Sequence, residues 1–167
     1  VQDKDIRCHI FDDYWEDIGT VKAFFDANLQ LTDPVPSFDF YDEDYPIYNY
    51  PDILPTAKLT HCDMDRTTVA SGCIIGRSTF ERCMLGVRST VRDNCRFENV
   101  GMMGADHFKS NEEIDMPTSV LEVPDIGVGE HSTIKNAIID KNARIGANVF
   151  LSPKGLEEGW ADEHKSV

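Results

Sequence analysis

Asp17 is the residue whose type and setting most invite chemistry. It lies in Trp15-Glu16-Asp17-Ile18-Gly19-Thr20, after a run from Ile6 to Phe11 that reads as a strand. Thr20 reads as the N-cap of a helix. A carboxylate between a strand end and a helix stands where open α/β sheets place ligand groups. The same carboxylate suits a cap or a solvated turn, and these six residues alone favour the turn. Asp39, Asp42, Glu43 and Asp44 have the types for a metal site but read as a solvated face. The five cysteines, Cys8, Cys62, Cys73, Cys83 and Cys95, form no close C-x-x-C pair, so neither a zinc knuckle nor a redox motif is indicated.

The elements that must position these groups are of three kinds. Val21, Phe24, Phe25, Leu29 and Ala27 make the apolar side of a helix that ends near Leu31, ahead of Asp33-Pro34. From Thr32 to Pro55 the chain turns rich in proline and tyrosine: Pro34, Pro36, Pro46, Pro51 and Pro55, with Tyr41, Tyr45, Tyr48 and Tyr50. Such a stretch runs extended. Its aromatic residues predict a linker strapped to a surface.

The third element is a repeat. Val69, Ile75, Phe80, Leu85, Val91, Phe97 and Met103 follow one another at steps of five or six, and so do Val128, Ile134, Ile139, Ile145 and Leu151. Four residues after each anchor the side chain is usually small or mid-sized: Cys73, Thr79, Ser89, Cys95, Ser132, Ile138, Ala143 and Val149. A six-residue step fits neither a helix nor a flat two-sided sheet. It predicts a parallel β-helix in which three hexads close a triangular coil, with anchors inward and Gly permitting the corners. Cys73 and Cys95 then fall inward, where cysteine behaves as a small hydrophobe. The repeat pauses between Gly104 and Asp125, and Asn111 to Asp115 reads as a loop thrown out from one coil. After Leu151 the pattern fades, with Glu157 to His164 charged.

Composition narrows the classes. The net charge of −14 argues against a nucleic-acid groove, which needs a basic face. At 41% hydrophobic residues the chain can bury a core; it has no run of membrane-span length, and none of its segments reads as a targeting signal. It opens at Val1 in mid-pattern, which reads as a piece of a longer protein. Free thiols suit a reduced compartment, intracellular or plastid.

Several strings are specific enough to compare with a family. Tyr14-Trp15-Glu16-Asp17-Ile18-Gly19-Thr20, Pro46-Ile47-Tyr48, Leu54-Pro55, Gly86-Val87-Arg88-Ser89, Met103-Gly104-Ala105-Asp106 and Ile138-Ile139-Asp140-Lys141-Asn142-Ala143-Arg144-Ile145-Gly146 resemble glucose-1-phosphate adenylyltransferase, in wording nearer the plant and cyanobacterial type. The resemblance runs from about residue 6 to residue 151. It implies the end of an α/β nucleotidyltransferase domain at 1–31 and a linker at 32–62. A left-handed parallel β-helix of hexapeptide repeats then spans 63–155, with the start of a C-terminal segment at 156–167. It also implies ADP-glucose and pyrophosphate formation from ATP and glucose 1-phosphate, for starch or glycogen. A homo- or heterotetramer in a plastid, or in the cytoplasm if bacterial, goes with it.

On that resemblance Asp17 corresponds to a catalytic carboxylate that holds Mg²⁺, and its partner carboxylate and the Gly-rich nucleotide loop lie upstream. Mg²⁺ takes one or two carboxylates with waters and phosphate oxygens. Lys141 corresponds to a lysine that helps bind an anionic activator, 3-phosphoglycerate, and Arg144 is its weaker companion. Lys141 is expected to hold its ammonium free, since Ile139, Ala143 and Ile145 already serve the core. Where the family carries a glutamine and then an anion-binding arginine, this chain has Tyr50 and Asp52, so that anion site is altered. Two other readings stand beside the enzyme: a non-catalytic regulatory subunit of the same assembly, and a hexapeptide-repeat acyltransferase. The acyltransferase needs a catalytic histidine, for which only His107 and His131 lie within the repeat, and it leaves Trp15 to Thr20 without a role.

Overall fold

Inward anchors at steps of five and six imply a chain that turns a corner between anchors, and the corners are where the backbone shows it. The computed structural model describes residues 7–48, 53–108 and 123–153. Strands β1 (Lys58–Leu59), β3 (Ile74–Ile75), β5 (Thr90–Val91), β7 (Gly127–Val128) and β9 (Arg144–Ile145) form one parallel sheet. Strands β2 (Asp63–Val69), β4 (Ser78–Leu85), β6 (Cys95–Met102), β8 (Thr133–Ile139) and β10 (Phe150–Leu151) form a second. Each sheet takes one strand per coil, and β1 already pairs with β3 inside the stretch read as linker.

The long strands are each two sides of the coil joined by a corner. Arg66, Arg82, Asn99 and Asn136 have φ of 43°, 53°, 52° and 47°, the left-handed region, and stack in register. At that residue the inward alternation slips by one: Ser78 and Phe80 point in, then Cys83 and Leu85. The slip makes the step across this corner five. The sixth residue after Phe97, Met103, therefore lies outside at 42% exposure, and Met102 is the core residue at 4%. Thr79 is likewise exposed, and Ser78 fills the inward position expected of it.

Two more corner columns carry positive φ, at His61, Asn94, His131 and Asn148, and at Gly72, Arg88 and Asn142. Asparagine tolerates this region better than other residues with a Cβ. The glycines that follow anchors do another job. A Cβ on Gly86 would stand 2.6 Å from the Met103 carbonyl carbon, and one on Gly129 would stand 2.6 Å from the Ala147 nitrogen. Glycine there permits close approach of the neighbouring coil, while non-glycine residues take most of the corners.

Inside, Ile75, Phe80, Leu85, Val91, Phe97, Val100, Val128 and Ile134 form one core. A column of small polar residues runs beside it. The thiols of Cys62 and Cys95 donate to the carbonyls of Gly76 and Gly129 at 3.3 and 3.1 Å, and the hydroxyls of Ser78 and Ser132 to those of Arg92 and Gly146 at 3.0 and 3.1 Å. Each side chain satisfies a corner carbonyl that the interior would otherwise leave unpaired. Successive coils are offset by 16 residues (Arg77 to Asp93) or 17 (Ser78 to Cys95), but by 37 from Asn99 to Asn136. The pause in the repeat is that longer coil.

Ahead of the solenoid, helix α1 (Val21–Gln30) begins at Thr20, whose Oγ1 accepts from the Ala23 N–H at 3.0 Å. The helix lies against β4 and β6, burying Leu29. Residues 7–11, expected as a strand, have no strand partner among the described residues and are exposed; Ile6 lies outside them. In the proline-rich stretch, Phe38 stacks on Tyr14 at 6.2 Å and meets Phe40 edge-on at 5.5 Å. Tyr41, Tyr45 and Tyr48 are exposed, so only part of the expected strap packs here. Among the described residues, no helix is long and apolar enough to cross a membrane.

Candidate functional site

Asp17 sits on the turn before α1, exposed, with Oδ1 accepting from the Gly19 N–H at 3.0 Å. A Cβ on Gly19 would stand 3.1 Å from that oxygen, so glycine leaves room for the carboxylate. Trp15, beside it, is 73% exposed and lines an open hollow with Tyr14, Phe38 and Phe40. No group of three His, Cys, Asp or Glu side chains suited to a metal occurs among the described residues. Asp39, Asp42, Glu43 and Asp44 are exposed; Asp39 and Asp42 accept backbone N–H groups two residues on, as turn acids do.

Lys141 lies on a corner of the solenoid, next to the left-handed Asn142, and far in sequence from its partner. Its ammonium lies 2.5 Å from Oδ1 of Asp106, one coil earlier. Asp106 also accepts from Asn142 Nδ2 at 2.8 Å, and its N–H donates to Asn142 Oδ1 at 2.9 Å. The expectation of a free ammonium is thus corrected: the coil register brings a carboxylate over it. These two hydrogen bonds, Lys141 first, hold the Asp106 carboxyl below its ordinary pKa. Asp106 closes Met103-Gly104-Ala105-Asp106, yet its spacing from Lys141 spans the longer coil, so no sequence pattern joins the two.

Arg144 donates from Nη1 to the Pro124 carbonyl at 2.8 Å, and Arg92 pairs with Asp125 at 3.1 Å. Both tie residues 124–125 to the coils where the chain re-enters the repeat. Lys141 and Arg144 are three residues apart but engage different partners. His107 and His131 are exposed, and the His131 N–H donates to the Asp93 carbonyl at 3.0 Å as a corner residue. Tyr50, Asp52, Asn111 to Asp115 and Glu157 to His164 lie outside the described residues.

Burial pushes the Cys83 thiol up to about 11, and it raises Cys73 and Cys95 as well. Thiols so buried and protonated are core groups, not nucleophiles. Between α1 and the solenoid, Phe24, Phe25, Met84, Gly101 and Ile138 line an apolar groove of about 200 Å³. Met84, Gly101 and Ile138 are register partners on successive coils, and Gly101 is the dent between two larger side chains.

Comparison with known proteins agrees with this architecture. Over 159 residues, 95% of the chain, it is 41% identical to glucose-1-phosphate adenylyltransferase large subunit 1, chloroplastic/amyloplastic, of Zea mays. The chain spans 31% of that relative's length. Residues 52–166 match the model of the GLGC left-handed parallel beta-helix domain, and the coils described above fall within them. The chain therefore belongs to the GLGC left-handed parallel β-helix family.

Proposed function

We propose that this chain is the C-terminal part of an enzyme that transfers the adenylyl group of ATP to glucose 1-phosphate, giving ADP-glucose and pyrophosphate for starch or glycogen. The observation that carries the reading is the 41% identity to the maize large subunit over nearly the whole chain, turn and helix as well as solenoid. The maize protein is a large subunit, which supports assembly with other subunits into a tetramer, and its chloroplastic/amyloplastic address supports a plastid. In this reading residues 1–31 close the nucleotidyltransferase domain, 32–62 link it, 63–155 form the β-helix and 156–167 begin the C-terminal segment.

Asp17 is the catalytic residue of this part of the chain. Exposed on its turn, with one oxygen fixed by the Gly19 N–H, it fits as one of the one or two carboxylates that Mg²⁺ accepts. A Mg²⁺ held there would supply charge neutralisation for the phosphates, which the attack of the sugar phosphate oxygen on the α-phosphorus and the departure of pyrophosphate require. Lys141 is the effector residue, reaching an anionic metabolite from a rigid corner, and Arg144 supports it from the start of β9, the strand that follows that corner. The test is direct. The full-length protein with its partner subunits, given ATP, Mg²⁺ and glucose 1-phosphate, should release pyrophosphate and form ADP-glucose. Absence of both products from the folded assembly, with and without 3-phosphoglycerate, overturns the reading.

A further inference from the structure

We propose that Asp106 is a built-in competitor of the anionic effector, its carboxylate occupying the Lys141 ammonium until a phosphorylated ligand displaces it. The inference rests on the reading of Lys141 as the effector residue and deepens it.

The geometry separates two jobs that an ion pair could do. Asp106 is already tied to the next coil by its paired hydrogen bonds with Asn142, at 2.8 and 2.9 Å. Backbone bonds fix the turn around it: the Ala105 N–H donates to the Val87 carbonyl at 2.9 Å, and the Asn142 N–H to the Gly104 carbonyl at 3.0 Å. Arg88 adds a bond to the Ala105 carbonyl at 3.4 Å. Cross-coil structure here therefore does not need the lysine. The two side chains remain 49% and 55% exposed, so a solute can reach both, and an ion pair so exposed contributes little to stability.

What the pair does control is the charge that an incoming anion meets. Asp106 holds the Lys141 ammonium, and Asp140, whose Oδ1 accepts from the Lys141 backbone N–H at 2.7 Å, adds a second negative charge to the same corner. A phosphate group carries more charge and more acceptor oxygens than a carboxylate, so it can take the ammonium from Asp106. The displaced carboxylate keeps Asn142 as its donor. The result is a weaker apparent affinity: the half-maximal effector concentration is raised by the factor with which Asp106 occupies the ammonium.

The experiment titrates 3-phosphoglycerate against the full-length assembly carrying wild type, Asp106→Asn, Lys141→Gln or both. ADP-glucose synthesis and calorimetric binding are the two readouts. Asp106→Asn keeps one oxygen for Asn142 and replaces the competing, charged acceptor with a neutral amide NH2 that cannot bind the ammonium. It should lower the half-maximal concentration roughly three- to fivefold, whereas Lys141→Gln should raise it roughly tenfold or more. In the Lys141→Gln background, Asp106→Asn should change nothing, because there is no ammonium to release. Asp106→Ser, which also removes the charge, should shift the response in the same direction and stands in if the asparagine variant does not assemble. If Lys141→Gln raises the value and neutral Asp106 does not lower it, Asp106 is no competitor. Equal lowering in both backgrounds also overturns the proposal, since the charge then acts through the general field. If Lys141→Gln leaves both readouts unchanged, the reading of Lys141 itself falls.

Discussion

The rings of Phe80 and Phe97 stack at 5.0 Å with 28° between their planes, register partners in adjacent coils of the solenoid. Both are fully buried. In a structure where each coil touches only its neighbours, a pair like this carries the coupling between them.

Phe97→Ala should therefore cost about 3–5 kcal/mol and uncouple the coils on either side. Met102→Ala should cost about 2–5 kcal/mol. Met103→Ala, one residue on and exposed, should stay within about 1 kcal/mol. Denaturant midpoints followed by circular dichroism decide it. Equal losses at Met102 and Met103 would contradict the slip in alternation at Asn99.

How far the sequence carried the fold can be read at that same corner. The five- and six-residue step was enough for a parallel β-helix, because anchors such as Ile75, Phe80, Val91 and Ile134 must share one interior. It could not place Met102 over Met103, or Ser78 over Thr79. That choice depends on whether the corner residue takes positive φ, and Arg82 gives less signal of this than Asn99. The strand expected at Ile6 to Phe11 had the right apolar residues, but a strand needs a partner to hydrogen-bond. The resemblance picked out Lys141 for an effector, while its partner Asp106 stayed hidden because the longer coil sets them 35 positions apart in sequence.

Two glycines should respond in opposite ways to gaining a side chain. Gly86 has Met103 backbone atoms 2.6 Å from where its Cβ would be, and backbone cannot swing aside. Gly86→Ala should lower stability by about 2 kcal/mol or more through strain at the coil contact. Gly101 meets nothing within 4 Å and lies in a strand beside the groove under Phe24 and Phe25. Gly101→Val should gain about 0.5–1 kcal/mol from lower unfolded-state entropy, better strand propensity and filling of the dent. Thermal melts of the two variants beside wild type test this, and a destabilised Gly101→Val would mean that the groove is needed open.

The buried thiols give the solenoid an alkaline limit. Burial raises Cys83 from 9.0 to about 11 in the folded state, so between those values the unfolded chain has lost a proton that the folded one keeps. Stability then falls with rising pH, by about 1.4 kcal/mol per pH unit for each such proton. The contribution is whole below pH 9 and lost as pH climbs through about 11. Cys73 and Cys95 shift the same way and add to it. Urea midpoints should drop from pH 8.5 to pH 10.5 in wild type and drop less in Cys83→Ala. At pH 8, iodoacetamide should label exposed Cys8 first and Cys83 only on unfolding. Prompt labelling of Cys83 in the folded protein would rule out this account.

Asp17 decides whether the turn before α1 belongs to the chemistry. In the full-length assembly, Asp17→Asn keeps the size of the side chain and an oxygen for the Gly19 N–H, so the turn should survive. What it removes is a negative charge, which in the proposed role would matter most as the phosphates rearrange in the transition state. The expected outcome is a kcat lower by about 100-fold or more at saturating substrates, with little change in thermal midpoint. Gly19→Ala provides an independent check, since its new Cβ would press on Asp17 Oδ1 from 3.1 Å and displace the carboxylate without altering charge. It should lower kcat by roughly tenfold, in keeping with the sensitivity of catalysis to small displacements. Raising Mg²⁺ should restore part of the rate in Gly19→Ala, where the carboxylate is present but misplaced, and little in Asp17→Asn. If both variants turn over at the wild-type rate with ordinary Mg²⁺, Asp17 is a turn acid and the metal is held elsewhere in the protein.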